Sequence, residues 1–187
     1  MKIHDLYRNI NNEKLILIFL TSSILALSLA YVTQYIFGLQ PCQLCLWQRK
    51  PFFVIIFLAT ILYIAKFLKK DLKKTASFLA WIMILLFLIN AKIGLYHFGV
   101  ENKWFEGLDS CAGGIESEID NLEQLKLSLK KSGYVISCDK AEIKFLGLSM
   151  AGWNIFYNIF FAAFGIISKH TAARKIIPKL IFKKGKY

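Results

Sequence analysis

The chain has 187 residues, of which 56% are hydrophobic and 15% aromatic, and its mean hydropathy is +0.48. That is enough chain for one domain but too apolar for an ordinary soluble one, so the lipid bilayer is the expected solvent. A net charge of +12 would suggest nucleic acid in a soluble protein; here the basic residues stand beside long apolar runs, as orientation signals do, and no basic-aromatic surface motif accompanies them.

After a polar start with Lys2, Arg8 and Lys14, residues 15–37 carry no charge. They are long enough to cross a hydrocarbon core of about 30 Å at about 1.5 Å per residue. Ser28 and Ala30 have the small-x-small spacing of a signal-peptide cleavage site, but the apolar run exceeds the usual h-region of about 7 to 15 residues, so it is expected to stay as the first span. A polar interval, 38–45, then holds Gln40, Pro41, Cys42 and Cys45. Residues 46–65 form the second predicted span, with Pro51 in an early helical turn.

Lys66, Lys69, Lys70, Lys73 and Lys74, opposed only by Asp71, lead into a third predicted span, 75–97. So short and basic a loop belongs on the cytoplasmic side. Residues 98–147 differ in kind, with nine of the twelve acidic residues and the other two cysteines, Cys111 and Cys138. Within them Ile115, Ile119, Leu122, Leu125 and Leu129 recur at spacings of three and four before Gly133, which predicts an amphipathic helix. Residues 148–167 make a fourth span, and 168–187 a basic tail. The expected fold is an all-α membrane protein: a four-transmembrane-helix bundle forming a single integral membrane domain over 1–187. The basic segments place both termini in the cytoplasm and the cysteine-bearing loops, 38–45 and 98–147, outside.

All four cysteines fall in those two external segments, the distribution expected of thiol–disulfide exchange in an oxidising compartment. Four cysteines permit three pairings, and a Cys-x-x-Cys can close a disulfide or supply half a metal site. Four thiols binding zinc, or disulfides that only staple loops, are therefore the competing readings. Cys42 and Cys45 lie before or within the first turn of the second span, where a helix amino terminus and a nearby cation both favour thiolate. Arg49, one turn after Cys45 on the same face, is the candidate cation and a candidate contact to an anionic acceptor; its plainer role is to snorkel and anchor the helix. His97, closing the third span, is a candidate for exchanging protons with a cofactor. Asn90 and Lys92 approach the same outer end, and Lys92 reads as a snorkelling side chain. Trp47, Trp104 and Trp153 suit an interfacial aromatic belt.

Taken together, Pro41-Cys42-Gln43-Leu44-Cys45 with Arg49, the segment Tyr96-His97-Phe98-Gly99-Val100-Glu101, Cys111, Cys138, and the run from Phe145 to Asn154 resemble the bacterial disulfide bond formation protein B (DsbB) family over nearly the whole chain. The resemblance implies a quinone-reducing protein-disulfide oxidoreductase of the bacterial inner membrane, with catalytic residues Cys42, Cys45, Cys111 and Cys138. It implies two disulfides, Cys111–Cys138 and Cys42–Cys45. A periplasmic DsbA-like carrier of the thioredoxin fold would exchange with Cys111, Cys138 would pass the electrons to Cys42, and Cys45 would face a membrane quinone, ubiquinone or menaquinone. Arg49 and His97 would join Cys45 at that cofactor. No metal and no nucleic acid are implied. DsbA and DsbB with quinone are already the known example of a system that keeps the bacterial periplasm oxidising.

Overall fold

The computed structural model describes residues 11–68, 72–108, 137–139 and 144–184, with side chains described as far as residue 171. Among them are four long helices: α1 (Asn12–Tyr35), α2 (Gln43–Phe67), α3 (Lys73–Glu101) and α4 (Met150–Lys184). A two-stranded antiparallel hairpin, β1 (Lys144–Phe145) and β2 (Leu148–Ser149), precedes α4. Each helix, α4 over Met150–Thr171, is long and apolar enough to cross a membrane. Large side chains such as Phe57, Phe78, Phe156 and Phe160 are exposed along them. An apolar surface of that extent is what lipid requires and what water penalises. The chain is an all-α, four-helix membrane protein.

The bundle packs around Phe87 of α3, which is fully buried. Its ring meets Phe19 of α1 at 5.0 Å, Phe52 of α2 at 6.2 Å and Phe161 of α4 at 5.7 Å between centroids. One side chain thus touches all three other helices. Helices α3 and α4 form the most extensive pair, because small residues let their backbones approach. A Cβ added at Gly165 would stand 2.7 Å from both Ile84 and Phe19, and one at Gly94 would stand 3.1 Å from Ile155.

Polar contacts lace the helices together away from the cysteines. Lys66 of α2 pairs with Glu13 of α1 at 2.5 Å, and the Tyr63 hydroxyl donates to the Glu13 carbonyl at 3.0 Å. Lys169 of α4 donates to Asn12 of α1 at 3.2 Å and to the Ser77 hydroxyl of α3 at 2.6 Å, with Trp81 beneath its ammonium.

The helix ends position the site. Helix α3 closes in a Schellman motif, with Lys103 and Trp104 amides donating to the Val100 and Gly99 carbonyls and Lys103 at φ 60°. The hairpin turns on Leu146 and Gly147, both at positive φ, as a tight two-residue turn requires. Trp153 Nε1 donates to the Phe145 carbonyl at 2.9 Å, and Ser149 Oγ accepts from the Gly152 amide at 3.2 Å, capping α4.

Two local expectations change. Helix α2 begins at Gln43, earlier than residue 46, so Pro51 lies in its third turn rather than an early one. There it deprives the Trp47 carbonyl of its helical donor. The fourth helix starts after a hairpin that occupies 148–149. The amphipathic helix expected from Ile115 to Leu129, and Cys111, lie outside the described residues.

Candidate redox site

The start of α2 builds the inner cysteine pair. Cys42 is the N-cap, in extended backbone at φ −69° and ψ 170°, and its sulfur accepts from the Cys45 amide at 3.3 Å. That is the geometry Ser or Asp ordinarily provides at a helix start, with a sulfur in place of the oxygen. Cys45, one turn on, brings its Sγ to 2.9 Å from that of Cys42. Both are free thiols. Cys42 is buried and Cys45 half-buried.

The pair is electrically asymmetric. The Cys42 thiol is lowered from 9.0 to about 4, chiefly because Cys45 donates a hydrogen bond to it; burial opposes the change, and the His97 ring adds to it. In the reduced pair the stabilised thiolate is therefore Cys42, whereas the family resemblance directed attention to Cys45. The hydrogen bond from the Cys45 thiol explains most of the difference, with the His97 ring and the Cys45 amide adding smaller contributions at the same sulfur.

His97 lies in the penultimate turn of α3 and exposes only 4% of its surface. Its Nε2 stands 3.5 Å from Cys42 Sγ and 3.7 Å from Glu101 Oε1, and its Nδ1 is 2.9 Å from Gln48 Nε2. Gln48 Oε1 in turn accepts from Asn154 of α4 at 2.8 Å. The imidazole is thus part of the thiol site rather than a residue at the edge of a span. The other Glu101 oxygen is buried with no partner among the described residues.

Cys138 is disulfide-bonded and 1% exposed. It belongs to one buried cluster with Cys42, Leu44 and Val100, with Cys45, Tyr96 and Leu108 against its edge. Nothing in the spacing of the cysteines foretells that residues nearly a hundred positions apart should meet. Arg49 turns toward α1: Nη1 donates to Gln34 Oε1 at 2.6 Å, Nη2 to the Ala30 carbonyl at 3.4 Å, and the guanidinium lies 5.1 Å from the centre of the Tyr31 ring. It ties α1 to α2 beside the cysteines. Lys92 is exposed, as snorkelling requires. Trp47, Trp104 and Trp153 are exposed as well.

Sequence reasoning passed over Gln48, Asn154 and Asn158 and gave Glu101 no role of its own. The signal that could have found them was the polar residue within an apolar helix, a costly placement that usually marks function. As for metals, the sulfurs of Cys42 and Cys45 and a nitrogen of His97 lie within 4.8 Å of one another. Three donors of that kind fall one short of a closed structural zinc site.

Comparison with known proteins shows the family. The family model described as disulfide bond formation protein DsbB matches residues 12–168. An uncharacterised protein of Rickettsia prowazekii is 30% identical over 91% of this chain and 93% of its own. Disulfide bond formation protein B of Acinetobacter baumannii is 28% identical over 73% of this chain and 78% of its own, and that of Hahella chejuensis 28% identical over 72% and 79%. With four apolar helices and a family match over residues 12–168, the chain belongs to the DsbB family of membrane disulfide oxidoreductases.

Proposed function

We propose that the protein reoxidises a DsbA-like dithiol carrier in the periplasm and delivers the electrons to a membrane quinone. The observation that carries this reading is the burial of Cys138 against Cys42, which supports direct exchange between an outer disulfide and the inner pair. A carrier thiolate attacks Cys111 of a Cys111–Cys138 disulfide, and Cys138 leaves as thiolate. Cys138 then attacks Cys42 of the closed Cys42–Cys45 disulfide, and Cys45 leaves. The carrier's second thiol displaces Cys111 and departs in a disulfide; Cys111 then attacks Cys138, closing the outer bond and releasing Cys42. Two electrons and two protons have moved from the carrier to the inner pair.

Free Cys42 and Cys45 beside a disulfide-bonded Cys138 correspond to that electron-loaded state. A bound quinone supplies the final acceptor, taking two electrons and two protons. The residues fit such a group: half-buried Cys45 and half-buried Arg49 lie one turn apart on α2 beside exposed Leu46 and Trp47, an apolar surface with one charged contact. A carrier near −120 mV, about the potential of DsbA, is too oxidising for ordinary thiol couples to recharge, which favours a quinone as acceptor. The basic segments favour both termini in the cytoplasm and the cysteines in the periplasm.

The test supplies reduced carrier and a water-soluble quinone to purified protein and follows quinol formation. Turnover is expected to vanish in Cys45→Ser and in Cys138→Ser; turnover that survives either change removes the relay.

A further inference from the structure

A line of side-chain amides runs from the interior of α4 to the inner cysteines, and its direction can be deduced. Asn158 is fully buried, and its Nδ2 lies 2.7 Å from the Asn154 main-chain carbonyl and 2.8 Å from Asn154 Oδ1. A main-chain carbonyl only accepts, so the nitrogen of Asn158 must face it. That same nitrogen fixes the oxygen of Asn154 toward Asn158 and turns the Asn154 nitrogen to Gln48 Oε1, 2.8 Å away. The Gln48 nitrogen is left facing His97 Nδ1 at 2.9 Å. Flipping any one amide sets two donors or two acceptors against each other, and the backbone carbonyl stops a flip of all of them. Nδ1 therefore accepts, the ring proton resides on Nε2, and Nε2 points at Cys42 Sγ, 3.5 Å away.

We propose that Gln48, Asn154 and Asn158 are positioning residues that hold His97 as the neutral Nε2–H tautomer, donating to the sulfur of Cys42 whenever the inner pair is reduced. The ring then stabilises a Cys42 thiolate without carrying a formal charge into the bundle. Among the described residues, the titratable groups facing it are Cys42 on α2, whose sulfur is hydrogen-bonded to Cys45, and Glu101 on its own helix, while Arg49 of α2 turns toward α1. Glu101 Oε1, 3.7 Å from the same Nε2, is the second acceptor within reach of that proton. The arrangement also disfavours a metal at Cys42, Cys45 and His97, since a ligating Nε2 must be unprotonated. The inference concerns the site assigned above, yet the tautomer itself is a property of the protein without carrier or quinone.

The experiment uses full-length reduced protein labelled with ¹⁵N-histidine, with His97→Gln to identify the signal. Two-bond proton–nitrogen correlations should give a single Nε2–H tautomer for His97 in the wild type. Asn158→Leu, which changes a residue that does not touch His97, should produce a mixture of tautomers and raise the pH midpoint of Cys42 alkylation by about one pH unit, the effect of losing one hydrogen bond to a charged group. Gln48→Met, which removes the donor at Nδ1 directly, should do the same and serves if Asn158→Leu does not fold. An Nδ1–H or doubly protonated ring in the wild type overturns the inference. So does an unmixed Nε2–H tautomer with unchanged Cys42 reactivity in both folded variants. Absence of quinone turnover in the wild type with the expected tautomer would instead count against the relay and leave the amide chain standing.

Discussion

At Cys42 three donors converge on one sulfur, and the largest effect comes from its neighbour. Cys45→Ala removes that donor but keeps the helix cap and His97. Alkylation of Cys42 as a function of pH should accordingly move its midpoint from about 4 toward the ordinary 9.0. The rate near pH 6 should fall by about tenfold or more, because the thiolate fraction drops about tenfold for every pH unit by which the midpoint stands above the working pH. An unchanged midpoint would show that Cys45 contributes nothing. The same depression has a consequence for stability. A thiol whose pKa is lower in the folded state stabilises that state fully above its unfolded value, and the contribution disappears as pH falls through about 4. The reduced protein should therefore gain thermal stability as pH rises from about 4 to about 9 in a manner the disulfide-closed protein does not share; parallel melting curves of the two forms check this. Arg49→Ala should raise the quinone KM severalfold while leaving carrier exchange at the outer disulfide intact. Because the guanidinium also bonds Gln34, the melting temperature should fall too, and a fall with unaltered quinone kinetics would reduce Arg49 to an anchor.

Among the helices, the close approach of α3 and α4 does most to place Asn154 and His97 across from Gln48. Gly165→Val should be destabilising by about 1 to 3 kcal/mol, since its Cβ would press within 2.7 Å of Ile84 and Phe19; thermal unfolding in detergent measures the loss, and a melting point equal to wild type would mean the helices separate freely there. How much of this was legible in the sequence depends on the element. The four spans announce themselves by apolar length, and the Cys42–Cys45–Arg49 spacing by helical period. The rotation of each helix about its axis does not, because residues facing lipid and residues facing the bundle are equally apolar, as with exposed Phe57 and buried Phe52 on α2. Without that rotation nothing tells that Gln48 faces His97 while Trp47 faces outward. The hairpin before α4 was concealed for another reason: Leu146 carries a positive φ usually reserved for Gly or Asn, so only Gly147 hinted at a turn.

Considered as a whole, the molecule has its cysteines and nine of its twelve acidic residues in the predicted external segments and most of its lysines elsewhere, so its orientation is an experimental question with a sharp answer. A reporter active only in the cytoplasm should work when joined after Tyr187 and fail when inserted at Gly107; the reverse pattern would invert the proposed topology. Both sulfurs that meet at the centre of the proposed relay are shielded, Cys138 exposing 1% and Cys42 6% of its surface. Thiol exchange needs an attacking sulfur to reach the target sulfur directly. In the proposed orientation, small soluble thiols of the periplasm would be kept from that junction by packing, whatever their potential. If the proposed relay operates, its conductor is insulated along its middle, and leakage of electrons between reductants in solution and a quinone would be limited by access rather than by thermodynamics.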